Sequence, residues 1–145
     1  MIKYNVYDEK GILQESFVLK EDAIEYVKDD APERESWIIE EENWLNVENL
    51  DNLFAIALLY ANGIKIENTE DGSTRAECIL NGGSLIAYDG LGGEYSVEIT
   101  DVVNGLEYAK EWAGNSYQSV ILGSYEVYEA YIVLQCIVFG EILYL

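Results

Sequence analysis

The sequence predicts an α+β protein in which small antiparallel sheets pack against helices and a buried C-terminal helix is followed by a terminal strand. Half of the 145 residues are hydrophobic, which is enough for a core. Short alternating runs between turn residues predict strands, and apolar residues spaced three and four apart predict helices. Residues 130–138 are apolar at all positions but one, which is typical of a helix buried on every side.

The first 64 residues predict a ββαβα arrangement. The predicted elements are, in order, strands at 2–7 and 12–18, a helix at 20–29, a strand at 36–40 and a helix at 47–61. Turn residues at 8–11 favour a hairpin between the first two strands, and Pro32 is expected to stop the first helix. Asn46 suits the N-cap of the second helix, and Gly63 suits its end.

Residues 65–73 are polar and contain glycine, so they form the expected boundary before a second part of αββααβ order at 74–145. Its predicted elements are a helix at 74–80, strands at 85–89 and 95–99, helices capped by Thr100 and Ser124, and a strand at 142–145. Gly140 is expected to end the last helix and release the chain into that strand, which would join the 85–99 hairpin. One core shared by both parts is the alternative.

Charge is the most unusual property of the composition. The chain has 28 Asp and Glu residues, 8 Lys and Arg residues and no histidine, for a formal net charge of −20. Residues 35–145 contain 19 of the acids and 3 of the basic residues, a net charge of −16. Such a chain is repelled by nucleic acid and by anionic lipid, so direct binding to either is not expected. The sequence has no positively charged segment followed by an apolar run, as a signal peptide would have, and its longest apolar stretch is shorter than a membrane span. These features predict a cytoplasmic location.

The residue types that catalysis commonly uses are scarce. Without histidine, the usual general base and nucleophile activator is missing. Cys78 and Cys136 lie in apolar helical patterns, which favours buried free thiols. An EF-hand register centred on Gly72 places Cys78 where the twelfth-position Glu is needed. We therefore expect a non-catalytic protein without a cofactor or a designed metal site; a carboxylate-based enzyme is the less favoured alternative.

Seven acidic residues are the candidate partner-binding residues: Glu40, Glu41, Glu42, Glu70, Asp71, Glu107 and Glu111. The first three follow the predicted third strand, and the next two lie in the polar stretch at 65–73. The last two are four residues apart and share one helix face, where like charges cost stability. A fold that tolerates them with few compensating cations suggests selection for the negative field itself.

These acids favour a basic protein as partner. Rows of carboxylates on a rigid body can occupy a groove built for DNA phosphates, so the hypothesis is a DNA mimic bound to a nucleic-acid-binding enzyme. An acidic immunity protein facing a basic toxin uses the same attraction. Surface acid that only keeps the protein soluble is the simplest alternative, and a homodimer is compatible with the sequence.

Two stretches of the C-terminal half resemble a group of known proteins. Residues 95–107 read YSVEITDVVNGLE, and residues 134–144 read LQCIVFGEILY. Over roughly the last 50 residues they are similar to small, largely uncharacterised proteins of phages and conjugative elements, which typically end in LQ-x-x-x-FGE, two hydrophobic residues and Tyr. Here Leu145 stands where a glycine often ends the chain.

The acidity, and residues 35–53, also resemble ArdA-type antirestriction proteins, which mimic bent DNA. Together the two resemblances imply a mobile-element origin and an inhibitor of a host restriction or CRISPR nuclease. An accessory or interaction protein with another role in such an element is the alternative.

Overall fold

The structure is a computed structural model, and it describes residues 1–144. Those residues contain six helices and two three-stranded antiparallel sheets, which confirms the predicted α+β class. The chain divides into two compact units, an N-terminal unit of Met1–Trp44 and a C-terminal unit that begins at Leu45.

The N-terminal unit is a three-stranded sheet with one helix. Its elements are β1 (Ile2–Tyr7), β2 (Leu13–Phe17), α1 (Lys20–Asp30) and β3 (Ile38–Asn43), with strand order β2-β1-β3. The predicted hairpin and first helix are confirmed. The third strand begins two residues later than predicted and continues to Asn43, because six of its residues pair with six of β1.

The core of the N-terminal unit is small. Val6 on β1 and Ala23 on α1 are fully buried. Around them Phe17, Tyr26 and Trp37 form a chain of aromatic contacts, with ring centroids 5.3 and 6.1 Å apart. Ring contacts between sheet and helix therefore supply much of the apolar packing that this short segment can make.

The C-terminal unit contains five helices and the second sheet. Its elements are α2 (Val47–Ala57), β4 (Lys65–Ile66), α3 (Arg75–Leu80), β5 (Leu85–Tyr88), β6 (Glu94–Val97), α4 (Ile99–Trp112), α5 (Gly114–Leu122) and α6 (Val127–Phe139). The strand order is β4-β5-β6. The β5–β6 hairpin and helix α3, which Thr74 and Glu77 begin with a capping box, are confirmed.

Helix α6 is the centre of the C-terminal unit, as the sequence predicts. Every residue from Ala130 to Val138 is buried, and α2, α4 and α5 all pack against it. Helix α4 crosses α6 at Gly105, where an added Cβ would lie 2.4 Å from the Cα of Ile137. Only glycine permits this approach of two backbones, so Gly105 sets the distance between the helices.

The division between the units does not fall at residues 65–73. It falls between Trp44 and Leu45, because the apolar stripe of α2 packs against α6 and joins that helix to the C-terminal unit. The polar stretch supplies strand β4, and Arg75 holds the following loop by donating to the carbonyl oxygens of Ile66 and Glu67 at 2.8 and 3.1 Å.

Several helix ends differ from prediction. Helix α2 begins after Asn46 as expected but ends at Ala57, before Gly63. Helix α5 was not predicted, because its serines, Gln118 and glycine leave a weak apolar stripe. Glu98 and Glu126, rather than Thr100 and Ser124, occupy the N-caps of α4 and α6, since each forms a capping box with an acid three residues later.

The predicted terminal strand is absent from the described residues 141–144, and position 145 lies outside them. Strand β4, rather than a terminal strand, joins the β5–β6 hairpin as the third strand, next to β5. Within residues 1–144 no single helix is long and apolar enough to cross a membrane; α5 and α6 meet that requirement only as a pair bent by 108°.

Candidate acidic surface and aromatic groove

Many carboxylates serve the fold. They accept hydrogen bonds from backbone N–H groups at turns, strand ends and helix starts, where a negative group stabilises unpaired donors. The carboxylates that do so include Asp8, Asp51, Glu67, Asp71, Glu77, Asp89, Asp101 and Glu129. The fold therefore explains why these positions carry acidic residues. The remaining acidic residues are the ones whose charge is available for binding.

Glu40, Glu41 and Glu42 lie on β3 but do not form one patch. Successive side chains of a strand point to opposite faces, so Glu41 is on the other face from its two neighbours. Glu42 is opposite Lys3, with 3.1 Å between the Lys3 Nζ and a carboxylate oxygen, and it accepts a 2.9 Å hydrogen bond from Asn5 Nδ2. These contacts, led by the Asn5 bond, lower the pKa of Glu42. Glu40 and Glu41 are exposed and make no such contacts.

Glu70 and Asp71 lie on the loop before α3. Asp71 accepts from Ser73 N at 3.0 Å and from Ser73 Oγ at 2.6 Å, and these bonds lower its pKa. Glu70 is exposed and makes no hydrogen bond. The two residues line an open groove of about 410 Å³ together with the half-buried Cys78. Asp71 therefore shapes the loop, while the charge of Glu70 is directed to solvent.

Glu107 and Glu111 share the solvent face of α4, opposite the buried Val102 and Leu106. Lys110 is also exposed on this helix, but it forms no ion pair with either glutamate. The charge of Glu107 also contributes, after burial, to a raised pKa of the Tyr117 phenol. The pair of like charges predicted from the spacing is thus present and uncompensated.

The negative charge is largely unpaired. Among the described side chains, Lys3 and Glu42 make the one ion pair within 4.0 Å. Arg75 donates to two backbone carbonyls and the Asn68 side-chain oxygen instead of to a carboxylate. Residues 1–44 hold 13 acidic and 5 basic residues and residues 45–145 hold 15 and 3, so the net charges are −8 and −12. Both units therefore present a negative surface.

The C-terminal unit also contains a groove that sequence reasoning missed. It has a volume of about 360 Å³ and is lined by Tyr60, Ala61, Asn62, Asp89, Gly90, Leu91, Tyr131 and Tyr144. The rings of Tyr60 and Tyr131 stack with centroids 4.1 Å apart and planes 1° apart. Gly63 allows this arrangement, because an added Cβ would lie 2.8 Å from the Tyr131 ring. We call this site the aromatic groove.

Asp89 places a carboxylate at the aromatic groove. One oxygen accepts from the N–H groups of Leu91 and Gly93, both at 2.8 Å, and the other accepts from the Tyr95 hydroxyl at 3.2 Å. The two backbone bonds lower the pKa of Asp89, so it is ionised at neutral pH. The pKa of the Tyr131 phenol is raised, first by burial and then by the nearby Tyr60 and Tyr144 hydroxyls.

Gln135 holds the chain end against the aromatic groove. Its amide is fully buried within α6; its oxygen accepts from Leu143 N at 3.0 Å and Tyr144 N at 2.7 Å, and its nitrogen donates to Tyr144 O at 2.7 Å. The Tyr144 ring also lies 6.1 Å from that of Phe139. The only sequence signal for this arrangement is one polar residue inside an apolar run.

Possible metal ligands and two cysteines lie within residues 1–144. No group of three His, Cys, Asp or Glu side chains within residues 1–144 is arranged to hold a metal ion. Burial raises the pKa of Cys136 to about 11, so its thiol is protonated at neutral pH. Cys136 is a free, buried thiol as predicted, whereas Cys78 is only half-buried.

The chain was compared with known proteins at the level of families, individual sequences and folds. No family model, no curated protein and no solved structure matches it.

Proposed function

We propose that this chain acts by binding a basic protein through its uncompensated carboxylates, without catalysing a reaction. The observation that carries the proposal is the lack of pairing: one ion pair among the described side chains, in a chain with 28 acids. The candidate acids that are exposed and make no hydrogen bond or ion pair are Glu40, Glu41, Glu70, Glu107 and Glu111. A surface charge without an ion-pair partner in its own chain is available to attract a basic partner.

The proposed partner is an enzyme that handles nucleic acid. Such an enzyme carries rows of Lys and Arg that bind phosphates, and an acidic protein can occupy the same surface and block it. A host-defence nuclease of the restriction or CRISPR type is the proposed target, with this chain as the inhibitor made by a phage or other mobile element. Electrostatic steering would speed the encounter and give it a strong salt dependence.

The test is capture of host proteins on the immobilised chain at salt concentrations from about 50 to about 500 mM. Contacts between charged groups weaken over a range of this order. We expect a basic nucleic-acid-binding enzyme to be captured at low salt, lost at high salt, and displaced by duplex DNA that competes for its phosphate-binding surface. Its activity on DNA should fall when the chain is added. Retention at high salt, or no effect of DNA, would contradict the proposal.

Charge-reversal variants locate the surface. The double variant Glu107→Lys/Glu111→Lys should weaken capture by about tenfold, because two close charge pairs are turned into repulsion. The matched control is Glu21→Lys/Glu25→Lys, which makes the same charge change at the same four-residue spacing on the exposed face of α1. Equal losses in both variants would mean that capture depends only on net charge and that Glu107 and Glu111 do not form a specific binding surface.

A further inference from the structure

We propose that the aromatic groove of the C-terminal unit receives the guanidinium group of an arginine side chain from the protein partner. This inference rests on the proposed function, because it names the point at which a basic partner is anchored. The aromatic groove is separate from the seven acids that the sequence indicates, since none of them lines it.

The shape of the aromatic groove suits a flat cation. Tyr60 and Tyr131 are stacked in parallel; Tyr131 is 5% exposed and Tyr60 is 37% exposed, so Tyr60 is the ring of this pair that a ligand can reach. Tyr144, which is 41% exposed, supplies another ring. Cations bind aromatic faces within about 6 Å of the ring centroid, and the planar guanidinium stacks on such faces better than an ammonium does. A volume of about 360 Å³ is ample for one side chain.

The charge of the aromatic groove selects a cation over an anion. Among the described residues, Asp89 is the one charged residue that lines it, and no Lys or Arg does. Asp89 Oδ1 accepts two backbone hydrogen bonds, whereas Oδ2 accepts only from the Tyr95 hydroxyl and retains capacity for a further donor. The surrounding unit has a net charge of −12. A guanidinium on the rings can therefore also donate to the carboxylate, which is its preferred partner.

The rim of the aromatic groove suits a protein rather than a free amino acid. Leu91, which lines the groove at the tip of the β5–β6 turn, is 84% exposed. A large exposed apolar side chain beside aromatic rings and a charged group is typical of the anchor region of a protein interface.

The aromatic groove is also held in its binding geometry. Gln135 fixes the backbone on either side of Tyr144, and Asp89 fixes the turn that carries Leu91. Groups that are ordered before binding lose less conformational entropy when the partner arrives. The three hydrogen bonds of a buried amide thus position a ring of the proposed site.

The experiment is an NMR titration of the full chain with the peptide Ac-Gly-Arg-Gly-NH2. Resonances of the Tyr60, Tyr131 and Tyr144 rings should shift and saturate. The isosteric peptide with citrulline in place of arginine, which is neutral, should bind at least about fivefold more weakly because it lacks the cation. Equal binding of the two peptides, or shifts that do not involve these rings, would overturn the inference.

Two variants test the two parts of the aromatic groove. Asp89→Asn removes the charge and keeps an oxygen that can accept the hydrogen bonds of the turn. Tyr60→Leu keeps the apolar bulk and removes the ring. Each variant should lower the affinity for the arginine peptide by about fivefold. Glu107→Gln removes one charge from the same unit outside the groove and should change affinity by less than about twofold, as expected of a screened surface charge. Similar losses in Asp89→Asn and Glu107→Gln would show that only the overall field attracts the peptide.

The same variants separate this inference from the proposed function. If partner capture survives in Asp89→Asn and Tyr60→Leu but is lost in Glu107→Lys/Glu111→Lys, the aromatic groove is not the anchor and the acidic-surface proposal stands. If no basic partner is captured by any form of the chain while the arginine peptide still binds in the aromatic groove, the proposed function fails and the groove remains a cation site.

Discussion

The two units carry similar negative charge but are built differently. The N-terminal unit has a net charge of −8 and the C-terminal unit −12. Only Val6, Ala23 and Trp44 of the buried hydrophobic residues belong to the N-terminal unit, whereas the C-terminal unit has a core centred on α6. Both units are therefore negatively charged, but they differ in the size of the core that holds their side chains in place.

This difference bears on where a specific site can form. On β3, the exposed Glu40 and Glu41 stand on opposite faces of a strand. In the aromatic groove, rings and a carboxylate are fixed by a buried amide, a glycine and a tight turn. A diffuse negative field can attract many basic partners, but discrimination among them requires groups in fixed positions.

The largest expected effect is that of Gly105→Ala in the C-terminal unit. The new Cβ would meet backbone atoms of Ile137 and Cys136 at 2.4 to 2.7 Å, so α4 and α6 must separate. We expect a loss of about 3 kcal/mol in the free energy of unfolding, measured by urea denaturation. Gly114→Ala is the control, because its Cβ meets nothing within 4 Å. Equal stability of the two variants would mean that the helices are not held at the observed distance.

The second effect compares the cores directly. Val6→Ala in β1 and Val133→Ala in α6 each remove two methyl groups from a fully buried position, at a cost of about 2 kcal/mol. Hydrogen exchange should show faster exchange in β1, β2 and β3 for the first variant and in α2, α4 and α6 for the second. If both variants speed exchange throughout the chain, the units unfold as one and the comparison between separate cores is wrong.

The third effect tests the support of the aromatic groove. Gln135→Met keeps the volume of the buried side chain but removes its three hydrogen bonds. We expect a loss of about 1.5 kcal/mol, because part of the cost is recovered when the exposed chain end bonds to water. Protease cleavage after Leu143 or Tyr144 should become faster. Glu141→Gln, an exposed change nearby, should leave the cleavage rate unaltered.

The smallest effect concerns Glu42 in the N-terminal unit. Its folded pKa lies below the usual value of 4.5, so its contribution to stability is present above pH 4.5 and is lost as pH falls through the lowered folded pKa. Because the side chain is 44% exposed, solvent screens the interaction and we expect less than about 1 kcal/mol. Glu42→Gln should therefore be less stable than the parent at pH 7 and equal to it at the lowest pH. A constant difference would assign the effect to packing.

Local patterns were sufficient for most of the elements. Alternation and turn residues predicted the β1–β2 hairpin, and the continuous apolar run predicted that α6 is the core helix. Helix α5 was missed because its apolar stripe is weak. The starts of α4 and α6 were mispredicted, because Glu at an N-cap is a weaker signal than Thr or Ser and is stabilised here by a second acid. The exposure of Glu40 and Glu107 followed from pattern, but the pairing of Glu42 with Lys3 depends on strand register.

Composition and periodicity alone determined the α+β class, the buried helix and the unusual charge, since each depends on residues close in the sequence. Tertiary contacts decided the remainder. The unit boundary depends on α2 packing against α6, and the aromatic groove depends on Tyr60, Asp89, Tyr131 and Tyr144, which are up to 84 positions apart. The buried Gln135 interrupts an apolar run in the sequence, but in the folded chain its amide pairs with backbone groups of Leu143 and Tyr144. A burial pattern cannot specify such pairings, because they depend on which distant backbone groups the fold brings within hydrogen-bond distance.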